Sequence, residues 1–363
     1  MKVRADVVGS LLRPPELLEA RAAKLAGTID PADYERIENA AVDEAIALQE
    51  ACGLDAVTDG ELRRMFFTGS ITDALDGIEL VTGAPTTWHS DGSSATETIE
   101  LPLVVTGKLT RRGSLALAEF RYARERTSKV LKVTISSPLM LSYFWSPEHS
   151  TAAYDDPFDM FADAAAIIRE QALELVEHGC RYIQIDAPEL ATVVDPSQAK
   201  FFADLGIDPD RMLTEGVDLI DGCADLGDAH VAVHMCRGNN RGRWLAEGGY
   251  ESISKAVFGR ARHVDSFALE YDSPRAGSFE VLRDVPDDKR VILGLVSTKT
   301  DEVESFEEIR DRLEEAASYF PREQLALSTQ CGFASEDHGN PVTPEHQRAK
   351  LERVAEVAHS CLS

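Results

Sequence analysis

Eight short runs rich in small and β-branched residues punctuate this chain, and stretches with helical periodicity lie between them. The runs are RADVVGS (4–10), AVTDGE (56–61), LKVTISSP (131–138), YIQIDAPE (182–189), HVAVHMC (230–236), SFALEYD (266–272), RVILGLVST (290–298) and LALSTQCG (325–332). In the intervening PADYERIENAAVDEAIALQEACG and DPFDMFADAAAIIREQALELVEHGC, apolar residues recur at helical spacing. The second stretch stops at Gly179, a helix C-terminal signal. Eight strands, each followed by helix, predict an α/β fold of the (β/α)₈ TIM-barrel type. With no linker and no repeat of solenoid length, the reading is a single domain over residues 1–363. One stretch breaks the alternation. Residues 86–130 are Ser/Thr-rich and then strand-like around RRGS, which predicts a β-hairpin excursion between the second and third barrel strands.

Composition narrows the partners. The 37 Lys and Arg against 63 Asp and Glu give a formal net charge of −26. Nucleic acid and anionic membrane both reward a basic face, so neither is expected as a general partner. An anionic ligand would have to be met by local arginines. No apolar run approaches the roughly 18 residues that a membrane span needs, and the start, MKVRADVVGS, lacks the apolar core of a signal peptide. A cytoplasmic protein is expected. Its six cysteines, at 52, 180, 223, 236, 331 and 361, should then be free thiols. Cys52, Cys180, Cys223 and Cys361 fall in or beside helices and read as packing residues. Nothing in the sequence argues against a homo-oligomer.

In such barrels the chemistry gathers at the C-terminal ends of the strands. Those ends read Gly9 and Ser10, Asp59 and Glu61, Asp186 and Glu189, His234 and Cys236, Glu270 and Asp272, Ser297 and Lys299, then Cys331. Side chains two apart on a strand share a face, so His234 and Cys236 point the same way. Alone, a His-x-Cys is weak evidence and is better explained by packing than by a metal. Cys331 has an ordinary reading as a small core residue, Glu270 as a rim carboxylate, and His234 as a satisfied core histidine. An eight-strand frame that brings all four to one mouth favours the other reading. One nitrogen, two sulfurs and a carboxylate make a tetrahedral zinc set, with one weaker ligand that a substrate could displace.

The pieces VGSLLRPPEL, TDGELRR, YIQIDAPEL, HMCRGN, FALEYDS and LSTQCGF together resemble the catalytic C-terminal barrel of the cobalamin-independent methionine synthase family. The similarity spans essentially the whole chain, in the manner of the family's short stand-alone branch. The resemblance implies methyl transfer from a methyl-folate-type donor to the thiol of homocysteine, forming methionine, with Zn²⁺ held by His234, Cys236, Glu270 and Cys331. It implies that Asp186, with Glu61 as second acidic partner, takes the substrate ammonium, and that Ser10 contacts the amino-acid carboxylate. It places Trp145 near the folate ring. Where the long enzymes carry a histidine that helps protonate the leaving nitrogen, this chain reads GLVSTKT, with Lys299 at or near that point.

Two other readings remain. The short branch also resembles the zinc enzymes that add coenzyme M to epoxides. A sulfonate in place of an ammonium would make Arg63, Arg64, Arg237 or Arg241 matter more than Asp186. A noncatalytic metal- or thiol-binding barrel would account for the missing histidine.

Overall fold

A computed structural model describes residues 3–90 and 96–362. Seven parallel strands form one curled sheet: β1 (Ala56–Val57), β6 (Val130–Ser136), β7 (Tyr182–Asp186), β8 (His230–Met235), β9 (Ser266–Glu270), β10 (Arg290–Val296) and β11 (Leu325–Thr329), in that spatial order. The N-terminal segment closes the ring. Asp6 N–H donates to Leu327 O at 2.9 Å, Leu327 N–H donates to Arg4 O at 2.8 Å, and Asp55 N–H donates to Ala5 O at 2.9 Å. The fold is the expected barrel, with helices packed outside it.

The first two strands are much shorter than the sequence suggests, because side chains take over their backbone partners. Asp6 Oδ1 accepts the Val7 N–H at 2.8 Å, so pairing in the first segment is confined to a bridge at Ala5. Gln49 occupies both backbone groups of Thr58, at 2.9 Å to the N–H and 2.8 Å to the carbonyl, and β1 stops at Val57. The later strands also end earlier than the apolar runs. Cys236 lies one residue beyond β8, and Cys331 two beyond β11.

The excursion after β1 begins earlier than residue 86. Antiparallel β2 (Leu75–Glu79) and β5 (Val104–Arg111) form an outer ladder, and β3 (Pro85–His89) pairs with β4 (Thr96–Glu100) between them in sequence. The tip at 91–95 lies outside the described residues, and the helix Leu115–Ala123 leads back to β6. Helix boundaries follow local chemistry. Asp30 and Asp156 cap the helices Pro31–Ala51 and Pro157–Glu177, each with Pro in the first turn. Gly179, at φ +98°, supplies the left-handed residue just after the second.

Buried polar groups link the N-terminal segment to the site. Lys132 Nζ lies 2.9 Å from Asp6 and 2.8 Å from Gln184, and Tyr182 donates to Asp6 at 2.6 Å. Gln184 in turn donates to Asp186 at 2.7 Å. Every member is partnered, as a dry interior requires. The result is a rigid support under Asp186.

Candidate metal centre and substrate pocket

His234 near the end of β8, Cys236 just past it and Cys331 in the loop after β11 bring their donor atoms within 4.8 Å of one another, all buried. The two sulfurs are 4.0 Å apart. Two thiolates sharing a tetrahedral zinc stand about 3.8 Å apart for Zn–S bonds near 2.3 Å, so this set fits a thiophilic cation. His234 Nδ1 faces Asp186 Oδ1 at 3.1 Å, and Nε2 faces the Gln330 carbonyl at 3.2 Å. A carboxylate on one ring nitrogen is the usual means of orienting a ligating imidazole.

The electrostatics suit a cation. The Cys331 thiol is brought down to about 7 by its contact with Cys236, against the effect of burial and with help from His234 and Lys299. Cys236 goes the other way, raised by that same contact and by burial. Burial alone would lower His234, but Asp186 and Cys331 outweigh it and raise the imidazole.

A pocket opens over this group. Ser10, Glu61, Asp186, His234, Cys236 and Cys331 all line it. The sequence-predicted residues that touch substrate in the amino-acid reading therefore converge. Glu61 sits at φ +54°, a left-handed conformation that a non-glycine residue holds only when its surroundings impose it. The turn that imposes it is Asp59 Oδ1 accepting the Glu61 N–H at 2.9 Å. Glu61 Oε1 takes the Thr134 hydroxyl at 2.6 Å, while Oε2 is buried with no partner. Burial raises its pKa, with Arg64 opposing and Asp186 adding. Close approach of two loops needs Gly332, where a Cβ would fall 2.0 Å from Ser10 Oγ.

A model of the cobalamin-independent synthase family, catalytic domain, matches residues 4–359. The chain belongs to that family. It is 35% identical over 361 residues to the protein named YxjH of Bacillus subtilis, covering 98% of this chain and 94% of that one. Similarity also extends to a 5-methyltetrahydropteroyltriglutamate–homocysteine methyltransferase of Lactococcus lactis subsp. cremoris, 23% identical over 353 residues, covering 96% of this chain and 42% of that protein. A crystal structure from Listeria monocytogenes, described as a candidate vitamin-B12-independent methionine synthase, superposes with TM-score 0.72 at 28% identity. That match covers 98% of this chain and 97% of the other.

Several residues expected at the site in this family do not line the pocket. Trp145 is outside the pocket lining. Its indole N–H donates to Leu205 O at 3.0 Å, because the turn Pro138–Phe144 sends Met140 and Tyr143 to the pocket and tucks the next residue away. Arg237 is fully buried beneath the mouth, donating to Gly248 O at 2.6 Å and lying over the Tyr250 ring, 4.2 Å from its centroid. It braces a loop instead of reaching substrate. Glu270 is absent from the His/Cys/Cys group. Its Oε2 accepts the Arg237 N–H at 2.6 Å, and Lys299 Nζ lies 3.0 Å from its Oε1. Lys299 is likewise not among the lining residues.

An aromatic wall that little in the sequence singles out completes the pocket. Phe66 and Phe67 after β1, Trp88 on β3, and Tyr143 line the same pocket. Trp88 is there because the inner hairpin docks on the loop after β8. His89 and Trp244 exchange backbone hydrogen bonds at 2.8 and 2.9 Å, and their rings stack 4.5 Å apart. Arg243 pairs with Glu97 at 2.8 Å. Gly238 lets Trp88 come close, since a Cβ there would lie 2.9 Å from the indole, at a backbone φ of +90°. A lone Trp in a polar excursion was the one available signal.

Proposed function

We propose that this protein transfers a methyl group from a methyl-folate-type donor to the thiol of homocysteine, forming methionine, with Zn²⁺ held by His234, Cys236 and Cys331 and with Glu270 as the adjoining carboxylate. The observation that carries the choice of acceptor is the charge of the pocket. Glu61, Asp186 and Glu336 line it, an unpartnered Glu61 oxygen among them, and no Lys or Arg does so among the described residues. An ammonium-bearing thiol fits that lining, and a sulfonate does not. Of the four arginines that would have favoured coenzyme M, three are engaged away from the lining, and Arg241 is held by Glu336 at its rim, which leaves Glu61 and Asp186 to meet an ammonium. Arg63 pairs with Glu38, Arg64 with Glu119, Arg241 with Glu336, and Arg237 with backbone carbonyls.

Zinc bound by this set would acidify a substrate thiol, so that sulfur attacks as the thiolate at neutral pH. The protein's own groups do the rest. Asp186 and Glu61 hold the ammonium and so fix the sulfur at the buried donors, while Ser10 stands beside them for the carboxylate. The aromatic wall of Phe66, Phe67, Trp88 and Tyr143 keeps water from the reacting methyl group and offers flat apolar surface to the donor.

The test uses zinc-loaded protein with homocysteine and methyltetrahydrofolate and, separately, with coenzyme M and an epoxide, following the alkylated thiol by mass spectrometry. Methionine should form and the coenzyme M adduct should not. Turnover with coenzyme M alone would overturn the acceptor, and no turnover of homocysteine with any methylfolate would overturn the donor.

A further inference from the structure

Lys299 makes a buried ion triplet. Its ammonium lies 3.0 Å from Glu270 Oε1 and 3.3 Å from Asp272 Oδ2, with all three side chains at most 2% exposed. Ser297 Oγ donates to the same Asp272 oxygen at 2.8 Å, and its own backbone N–H is held by Glu304 at 2.6 Å. The lysine is therefore fixed from below. Glu270 is fixed by its other oxygen, through the N–H of Arg237, the residue after Cys236. Glu270 thus sits against the metal group's own loop while its charge is matched by a cation that does not face the pocket.

An uncompensated buried charge is strongly destabilising, so a buried carboxylate kept off a neighbouring metal group needs a cation beside it. We propose that Lys299 is a positioning residue: held by Asp272 and Ser297, it keeps the Glu270 carboxylate beside the donor set of His234, Cys236 and Cys331 but off it, so that the fourth position of a metal bound there would be open to the substrate sulfur. This inference rests on the proposed reading of Glu270 as the adjoining carboxylate. It assigns Lys299 no proton transfer to the leaving group. The role follows from what the lysine touches, which is two carboxylates and no part of the pocket lining.

The experiment is a double-mutant cycle on Co(II)- or Zn(II)-loaded protein, with homocysteine affinity read from the thiolate-to-Co(II) absorption band and metal affinity from competition with a chromophoric chelator. Lys299→Met should weaken homocysteine binding tenfold or more while leaving metal affinity without thiol unchanged or tighter. Lys299→Arg should restore binding to within a few-fold. In a Glu270→Gln background, where no carboxylate charge needs holding, Lys299→Met should have little further effect. Lys299→Gln serves the same purpose if the methionine variant does not fold. Unchanged thiol affinity in Lys299→Met, or an equal loss with and without Glu270→Gln, overturns the role. A wild-type protein that binds neither metal overturns the metal reading instead, and the two failures are told apart by the chelator titration.

Discussion

Asp186 Oδ1 lies 3.1 Å from Nδ1 of His234 and also receives the amide of Gln184, so one carboxylate faces both the substrate pocket and the donor set. Asp186→Asn keeps an acceptor for the imidazole but removes the charge that an ammonium would meet. The Michaelis constant for homocysteine should rise tenfold or more, about 1.4 kcal/mol per tenfold. A thiol of similar size with no amino group should be nearly indifferent. Asp186→Ala should in addition weaken zinc binding by about 10–100-fold, because the histidine loses its orienting partner. Equal losses for both thiols in the Asn variant would show that Asp186 serves only the histidine.

Cys331→Ala should abolish tight zinc binding without unfolding the barrel. The residue sits beyond β11, whose own five residues are buried and paired along one edge by β10, with the Ala5 bridge to Leu327 on the other edge. Metal analysis after dialysis, alongside circular dichroism, checks both halves. Full zinc occupancy in that variant would remove Cys331 from the ligand set.

Trp88 should govern the donor and not the thiol. Its indole lines the pocket from β3 and is anchored to Thr86 Oγ1 at 3.0 Å. Trp88→Ala is expected to raise the Michaelis constant for the methyl donor several-fold, with homocysteine and zinc affinities unchanged. Initial rates with each substrate varied in turn decide the matter. A change confined to homocysteine would place the donor elsewhere.

Glu189 gives the fold a pH dependence of definite sign. Burial raises its carboxyl to about 8, its Oε2 has no partner, and the Ser137 hydroxyl contacts its other oxygen. The folded state therefore holds this proton more tightly than the unfolded chain does, and stability falls as pH rises from about 4.5 to 8. Asp59, raised to about 7 chiefly by burial and Glu119, acts in the same direction. Glu189→Gln should lose less stability between pH 5 and pH 8 than the wild type, as measured by urea unfolding. An identical loss in both proteins would mean the carboxyl is not the source.

The order of elements, the barrel and the residues that end its strands were legible in the sequence, because they depend on short-range rules. Strand periodicity sends His234 and Cys236 to one side, and an aspartate before proline starts a helix wherever the chain then goes. The excursion was legible as an interruption, since its polar composition cannot continue the alternation. What those rules do not specify is how far a loop carries a side chain or which distant group claims it. Trp145 was the expected aromatic and Trp88 was not singled out; the turn Pro138–Phe144 put the first on Leu205, and the docking of the β3–β4 hairpin on the loop after β8 put the second in the pocket. Lys299 looked like an acid at the mouth until Glu270 and Asp272 closed on it from another strand end. The sequence by itself determined the barrel and the donor atoms at its rim; the tertiary structure decided which of them meet, because each buried charge must be matched by partners far away along the chain.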